Sequence, residues 1–156
     1  MIRVDYLFFI AGILLIIFAF LVIPSETYYH YYILDHYYTL IARSIFLVLA
    51  GLALFFGTLY RLTVRFLFSN TWSIMHFVCF VCLIVNIWTW GIFERVYLED
   101  YFNQASATKQ TSKESAIFIK YQSVYLNSAL ILIFLQLTYF ANLIYGLIFQ
   151  KSNKSS

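Results

Sequence analysis

Tyr6-Leu-Phe-Phe-Ile-Ala-Gly-Ile-Leu-Leu-Ile-Ile-Phe-Ala-Phe-Leu-Val-Ile23 runs for 18 residues without a charge. Crossing a hydrocarbon core takes about 20 apolar residues as a helix, because every backbone N–H and C=O must find its partner inside the segment. A membrane-barrel strand needs only about 10 residues of alternating polarity, so this run reads as a transmembrane helix. Three more stretches read the same way: Tyr37 to Tyr60, Trp72 to Ile92 and Val124 to Phe149. The expected fold is all-α, a four-helix transmembrane bundle forming a single domain over residues 1–156. Composition agrees, since 63% hydrophobic and 11% charged residues exclude a soluble globule.

The flanks of the first run decide whether it is a leader or an anchor. Arg3 precedes it, but it leads into Pro24-Ser25-Glu26 without a small-x-small cleavage pattern, so it reads as a retained anchor. Cys79 and Cys82 are the only cysteines and both lie in the third segment, which excludes a secreted disulfide framework. The net charge of +3, with no basic run and no aromatic RNA-reading motif, gives no expectation of nucleic acid. The expected partners are the lipid bilayer and either other membrane-protein subunits or a second copy of the chain.

Between the first two segments, Thr27-Tyr-Tyr-His-Tyr-Tyr-Ile-Leu-Asp-His-Tyr-Tyr-Thr39 packs 6 tyrosines and 2 histidines into 13 residues. Rings with an apolar body and a polar tip sit at the headgroup level, so the stretch reads as an interfacial aromatic belt. The spacing of Tyr28, Tyr31, Tyr32 and Asp35 reads as an amphipathic turn. Phe93 to Ser123 reads as a long third loop, its polar part Asn103 to Ser115 mobile.

Glu26-Thr-Tyr-Tyr29, then His36-Tyr37, a helix, and Asn70-Thr71 leading to His76-Phe77 together resemble haem-copper oxidase subunit I around its tenth and eleventh helices. That family carries H-D-T-Y-Y, then H-x-H-Y, then N-E-T-L-x-K-I-H-F. Here Ser69-Asn-Thr-Trp-Ser-Ile-Met-His-Phe77 keeps the T-x-x-x-x-H-F register, and Val85-Asn86 matches a V-N of the later helix. The resemblance covers about residues 25–90. With a one-residue insertion it places His36 on a haem-binding histidine. Leu34 stands where the other haem histidine would be, and the copper ligands belong to helices without a counterpart here. The resemblance therefore implies no oxygen reduction by this chain alone.

The candidate cofactor residues are His36 and His30, with haem as the ligand on this reading. His76 lies nearly a membrane thickness away, about 30 Å, which leaves His30 as the only companion for His36 on one iron. No other metal-ligating set is present. Cys79-Phe-Val-Cys82 has the C-x-x-C spacing of a redox pair, but an apolar setting holds thiols protonated, so small packing residues are the plainer reading. Arg43, Asn86, Gln136, Thr138 and Asn142 are polar groups within apolar segments. They invite a functional reading and equally serve to lock helices together. Arg43 is expected to reach Glu26, Glu99 or Asp100.

The leading expectation is a non-enzymatic accessory or interaction protein without a cofactor. The alternatives are a haem-binding or electron-transfer module using His36, and a membrane thiol redox protein using Cys79 and Cys82. Arg3, Arg61, Arg65, Lys151 and Lys154 lie near helix ends on one side, so both termini are expected in the cytoplasm. A reporter fused after Ser156 should read cytoplasmic and one inserted near Lys109 should read the opposite side; reversal of both signals overturns the orientation.

Overall fold

The computed structural model describes residues 3–33, 36–105 and 111–153. Helix α1 (Val4–Leu21) is followed by strands β1 (Tyr28–Ile33) and β2 (His36–Ile41). Helices α2 (Ala42–Thr63), α3 (Asn70–Ala105), α4 (Thr111–Leu135) and α5 (Thr138–Asn153) complete the chain. Four stretches are long and apolar enough to cross a membrane: Val4–Leu21, Ala42–Thr63, Asn70–Tyr97 and Phe118–Phe149. The molecule is thus a four-helix transmembrane bundle, with α4 and α5 sharing the fourth crossing. Large apolar side chains such as Ile13, Leu14, Val48, Phe55, Ile131 and Phe134 are more than half exposed, as bilayer contact requires.

Helices α1 and α2 approach closely because small residues line the seam. Gly57 lies against Phe9, and a Cβ there would sit 3.3 Å from the Asp5 carbonyl oxygen. Gly12 faces Leu54 and the Ala50 carbonyl. Between apolar helices in lipid, where the hydrophobic effect is weak, such close backbone packing is a main source of association. Ala42, Phe46, Ala50, Ala53 and Tyr60 continue the same buried stripe of α2.

Aromatic layers fill the interior from one end to the other. Phe8, fully buried, contacts Phe56, Tyr60, His76, Phe77 and Phe80 at ring-centroid distances of 5.0–5.8 Å. Phe18, Phe46 and Trp88 form a middle layer of edge-to-face rings. Trp90, Phe93, Tyr97, Phe118 and Tyr125 knit α3 to α4 beyond it.

The fourth crossing breaks at Gln136 and Leu137, and the cause is visible in its side chains. The Gln136 amide N–H group donates to the Leu132 carbonyl at 3.0 Å, and the Thr138 hydroxyl to the Leu135 carbonyl at 2.7 Å. These side chains enter the hydrogen-bond ladder, while the backbone tightens to i→i−3 bonds from Gln136 and Leu137. Asn142 then holds the turn between α2 and α3. Its Nδ2 donates to the Ser69 carbonyl and the Ser73 hydroxyl, each at 3.0 Å, and its Oδ1 accepts from Ser69 N at 2.9 Å. Its own carbonyl accepts from Phe68 N. A Cβ on Gly146 would collide with the Phe66 carbonyl, so this glycine lets α5 seat on the turn.

Three sequence expectations are corrected. Residues 28–33 and 36–41 form an antiparallel hairpin, with Tyr28 opposite Ile41 and Ile33 opposite His36, in place of an amphipathic turn. Tyrosine-rich runs favour extended backbone, and two such runs separated by Leu34-Asp35 have hairpin spacing. As a result the second helix begins at Ala42 and not at Tyr37. The long third loop is largely helical: α3 runs 36 residues to Ala105 and α4 resumes at Thr111. Of the segment Asn103 to Ser115 expected to be mobile, residues 106–110 lie outside the described residues and the rest is helix.

Removing the Asn142 amide should be costly. Membrane hydrogen bonds average about 0.6 kcal/mol, and the clamp's three side-chain bonds, with the buried donors left behind, bring Asn142→Ala to about 2 kcal/mol. Thermal unfolding in detergent should show this loss, whereas Asn86→Ala, which removes one bond to Ser128, should cost under half as much.

Candidate functional site

The hairpin is held at the end of the bundle where α1 finishes and α2 begins. The Ala42 N–H donates to the Thr27 carbonyl at 2.9 Å, which ties the foot of β2 to the start of β1. On α3 beside it stands Gly91, where any Cβ would collide with the Tyr29 ring. Tyr29 is thereby buried to 4% exposure. Tyr31 stacks on Trp90 with centroids 6.1 Å apart. Burial pushes the Tyr29 phenol up from its ordinary value, with nearby Arg95 opposing. It pushes Tyr31 up further, and neighbouring Glu94 adds to the effect.

Glu94 is the polar centre of this docking. Its Oε1 accepts from the His30 backbone N–H at 2.7 Å and lies 2.7 Å from His30 Nδ1, which fits a proton on that ring nitrogen. The two side chains form an ion pair whenever the imidazole is protonated. Glu94 lies 24 residues into α3, about 36 Å from its start at 1.5 Å per residue. It therefore sits where a hydrocarbon core of about 30 Å gives way to headgroups. The protein nonetheless covers it to 2% exposure.

Among the described residues, buried polar atoms of α3 and α4 have no hydrogen-bond partner: Glu94 Oε2, Trp90 Nε1, and both Gln122 Oε1 and Nε2. Trp90 and Glu94 are one helical turn apart on α3. Gln122 is flanked on α4 by Phe118 and Tyr125, whose rings lie 5.5 and 5.4 Å from Trp90. All three residues are no more than 2% exposed. Buried polar groups are normally satisfied, so these donors and acceptors stand apart from the aromatic packing beside them.

A second polar cluster occupies the other end of the bundle. His76 is fully buried among Phe8, Phe56, Tyr60 and Tyr139. Its Nδ1 lies 3.0 Å from the Tyr60 hydroxyl. The Tyr139 hydroxyl pairs with the Thr63 hydroxyl at 2.8 Å. Among the described residues neither His76 Nε2 nor Gln136 Oε1 has a partner at full hydrogen-bonding geometry, although Gln136 lies close enough to interact with the imidazole.

No protein-family model, curated protein or solved structure matches this chain.

The residues singled out in the sequence are distributed unevenly over these sites. His30 belongs to the Glu94 cluster. His36 is exposed, with its ring beside Tyr38 at 6.4 Å. Strand parity puts the two histidines on opposite faces of the hairpin, because His30 pairs with Thr39 and His36 with Ile33. Cys79 is half-buried and Cys82 exposed, both as free thiols. Arg43 donates to the Ile23 carbonyl at 2.9 Å and lies over the Phe20 ring, with no ion pair to Glu26. No group of three or more His, Cys, Asp or Glu that could hold a metal ion occurs among the described residues. Glu94 and Gln122 were missed as site residues. The one local signal was Gly91-Ile-Phe-Glu94, a glycine and an acid closing an apolar segment.

Glu94→Ala should loosen the hairpin, because it removes the carboxylate that accepts from the His30 N–H and lies against the His30 ring. Bonds to charged groups contribute about 1.5–3 kcal/mol, so amide exchange in Tyr28–Ile41 should accelerate tenfold or more, by roughly the factor that free energy implies. Glu94→Gln keeps an acceptor and should accelerate it less. Equal exchange in both variants and the parent would show that the carboxylate does not hold the hairpin.

Proposed function

We propose that this chain is a non-enzymatic membrane interaction protein, an accessory subunit or self-associating module, whose binding head is the tyrosine hairpin locked onto α3. The observation that carries this reading is the asymmetry of the two strand edges. Glu94 takes the outward N–H of His30, so the free edge of β1 is covered. In an antiparallel pair the residue opposite a position pointing outward also points outward, which turns the backbone groups of Thr39 toward the open edge of β2. Tyr38, Leu40 and Ile41 beside it are each 45–47% exposed. An uncovered edge carrying apolar side chains is a template for strand addition.

The remaining polar groups fit a supporting role. Asn142, Gln136, Thr138 and the Asn86–Ser128 pair at 2.7 Å satisfy backbone and side chains inside the bundle. With Arg3, Arg61 and Arg65 at the end opposite the hairpin, we infer cytoplasmic termini and a head on the far side of the membrane. The partner is a segment of another membrane protein, or a second copy, that offers an extended strand at the headgroup level.

A photo-cross-linking residue at Tyr38 in native membranes should give a discrete protein adduct. Thr39→Pro removes the outward N–H without touching the bonds to β1, and it should abolish that adduct while leaving helix content unchanged. An adduct that survives Thr39→Pro, or lipid adducts alone, would reject the reading. A haem absorption band in protein purified without added haem, lost only on His36→Ala, would replace it with the haem-binding alternative.

A further inference from the structure

A groove of about 570 Å³ runs between α1 and α3 with Phe46 of α2 behind it. Its walls include Ala11, Leu14, Phe18 and Val22 on α1, and Ile84 and Trp88 on α3. It lies inside two membrane crossings and is lined wholly by apolar side chains. From Ala11 to Val22 it extends 11 residues, about 16 Å at 1.5 Å per residue. Half of a hydrocarbon core of about 30 Å is about 15 Å, so the groove matches one leaflet in length. Its floor is rigid, because Phe18, Phe46 and Trp88 meet edge to face at 4.8–6.2 Å.

Arg95 lies seven residues beyond Trp88 on α3, past the hairpin end of the groove and near Tyr29. Ile84, Trp88 and Arg95 follow i, i+4, i+11 and so lie within about 40° on one face of α3 at 100° per residue. Helical side chains lean toward the helix N-terminus, which inclines Arg95 back toward the groove. Arg95 is exposed and has no ion pair among the described residues. Its neighbour Glu94 turns inward to His30. We propose that the groove seats one acyl chain of a phospholipid whose phosphate is bound by Arg95, making this lipid a resident of the hairpin-side leaflet.

Apolar area and charge then have separable roles. The chain is held by contact with Leu14, Phe18 and Trp88, and the headgroup by a single charge-assisted contact. One basic group near a headgroup contributes a factor of about five in binding. Delipidated full-length protein in detergent, titrated with dioleoylphosphatidylglycerol and read by native mass spectrometry, should saturate at one lipid per chain. Arg95→Gln should weaken this about fivefold. Dioleoylglycerol, which has the same chains without a phosphate, should bind the parent about fivefold more weakly and be indifferent to Arg95→Gln.

Ala11→Trp fills the groove and should remove the bound lipid. Ile17→Trp, at the groove's exposed rim, should reduce it while retaining native helix content. Equal binding of both lipids in all variants would identify ordinary annular lipid and overturn the proposal. So would a dimer that Ala11→Trp dissociates, since a second copy would then occupy the groove.

Discussion

Hydrocarbon offers no hydrogen bonds, and three irregularities in this bundle are answered by side chains for that reason. Where the fourth crossing breaks, Gln136 and Thr138 take the freed carbonyls of Leu132 and Leu135. Where α2 turns into α3, Asn142 supplies donors and an acceptor to Ser69 and Ser73. Where β1 presents an edge, Glu94 accepts its outward N–H. Each of these groups individually contributes little, but leaving its partners unmade in a water-free setting costs about 1–3 kcal/mol apiece. The polar residues are therefore what permits breaks in the helices, and the breaks set where the head and the turn can lie.

Packing supplies the rest. Small residues let α1 and α2 approach until Gly57 is within Cβ distance of the Asp5 carbonyl, while α3 and α4 are joined by rings too large for such an approach. The two halves of the bundle thus cohere by different means, one by backbone proximity and one by aromatic interlock. A groove opens on the outer face where they meet, beside the Phe18–Trp88 contact that joins α1 to α3.

Much of this was legible in the sequence, and the illegible parts share a cause. The crossings could be read because apolar length alone identifies a span. Asn142 and Gln136 were conspicuous because amides in apolar runs have few uses. The hairpin was misread because Tyr28, Tyr31, Tyr32 and Asp35 fit a helical stripe by spacing while the local preference of the tyrosines is extended. The helical extensions past Phe93 were hidden by polarity: Thr111-Ser-Lys-Glu114 has the S/T-x-x-E spacing of a capping box, yet it sits in a segment too polar to be read as a span. Glu94 and Gln122 depend on which face of α3 meets α4, and no single-chain periodicity encodes that pairing. The His76 box draws its rings from α1, α2 and α5, so it too exists only in the assembled fold.

The length of α3 carries a mechanical consequence. Its 36 residues form one uninterrupted rod, about 54 Å long, with its foot fastened through Ser69 and Ser73 to Asn142 and its upper part bearing the hairpin through Gly91 and Glu94. A rod of that length is a lever with its fulcrum in the membrane. A tilt of about 10° at the foot swings the far tip by roughly 9 Å, carrying the docked strands with it. Bilayer thickness, which sets how far helices lean, would thus be converted into lateral displacement of the head.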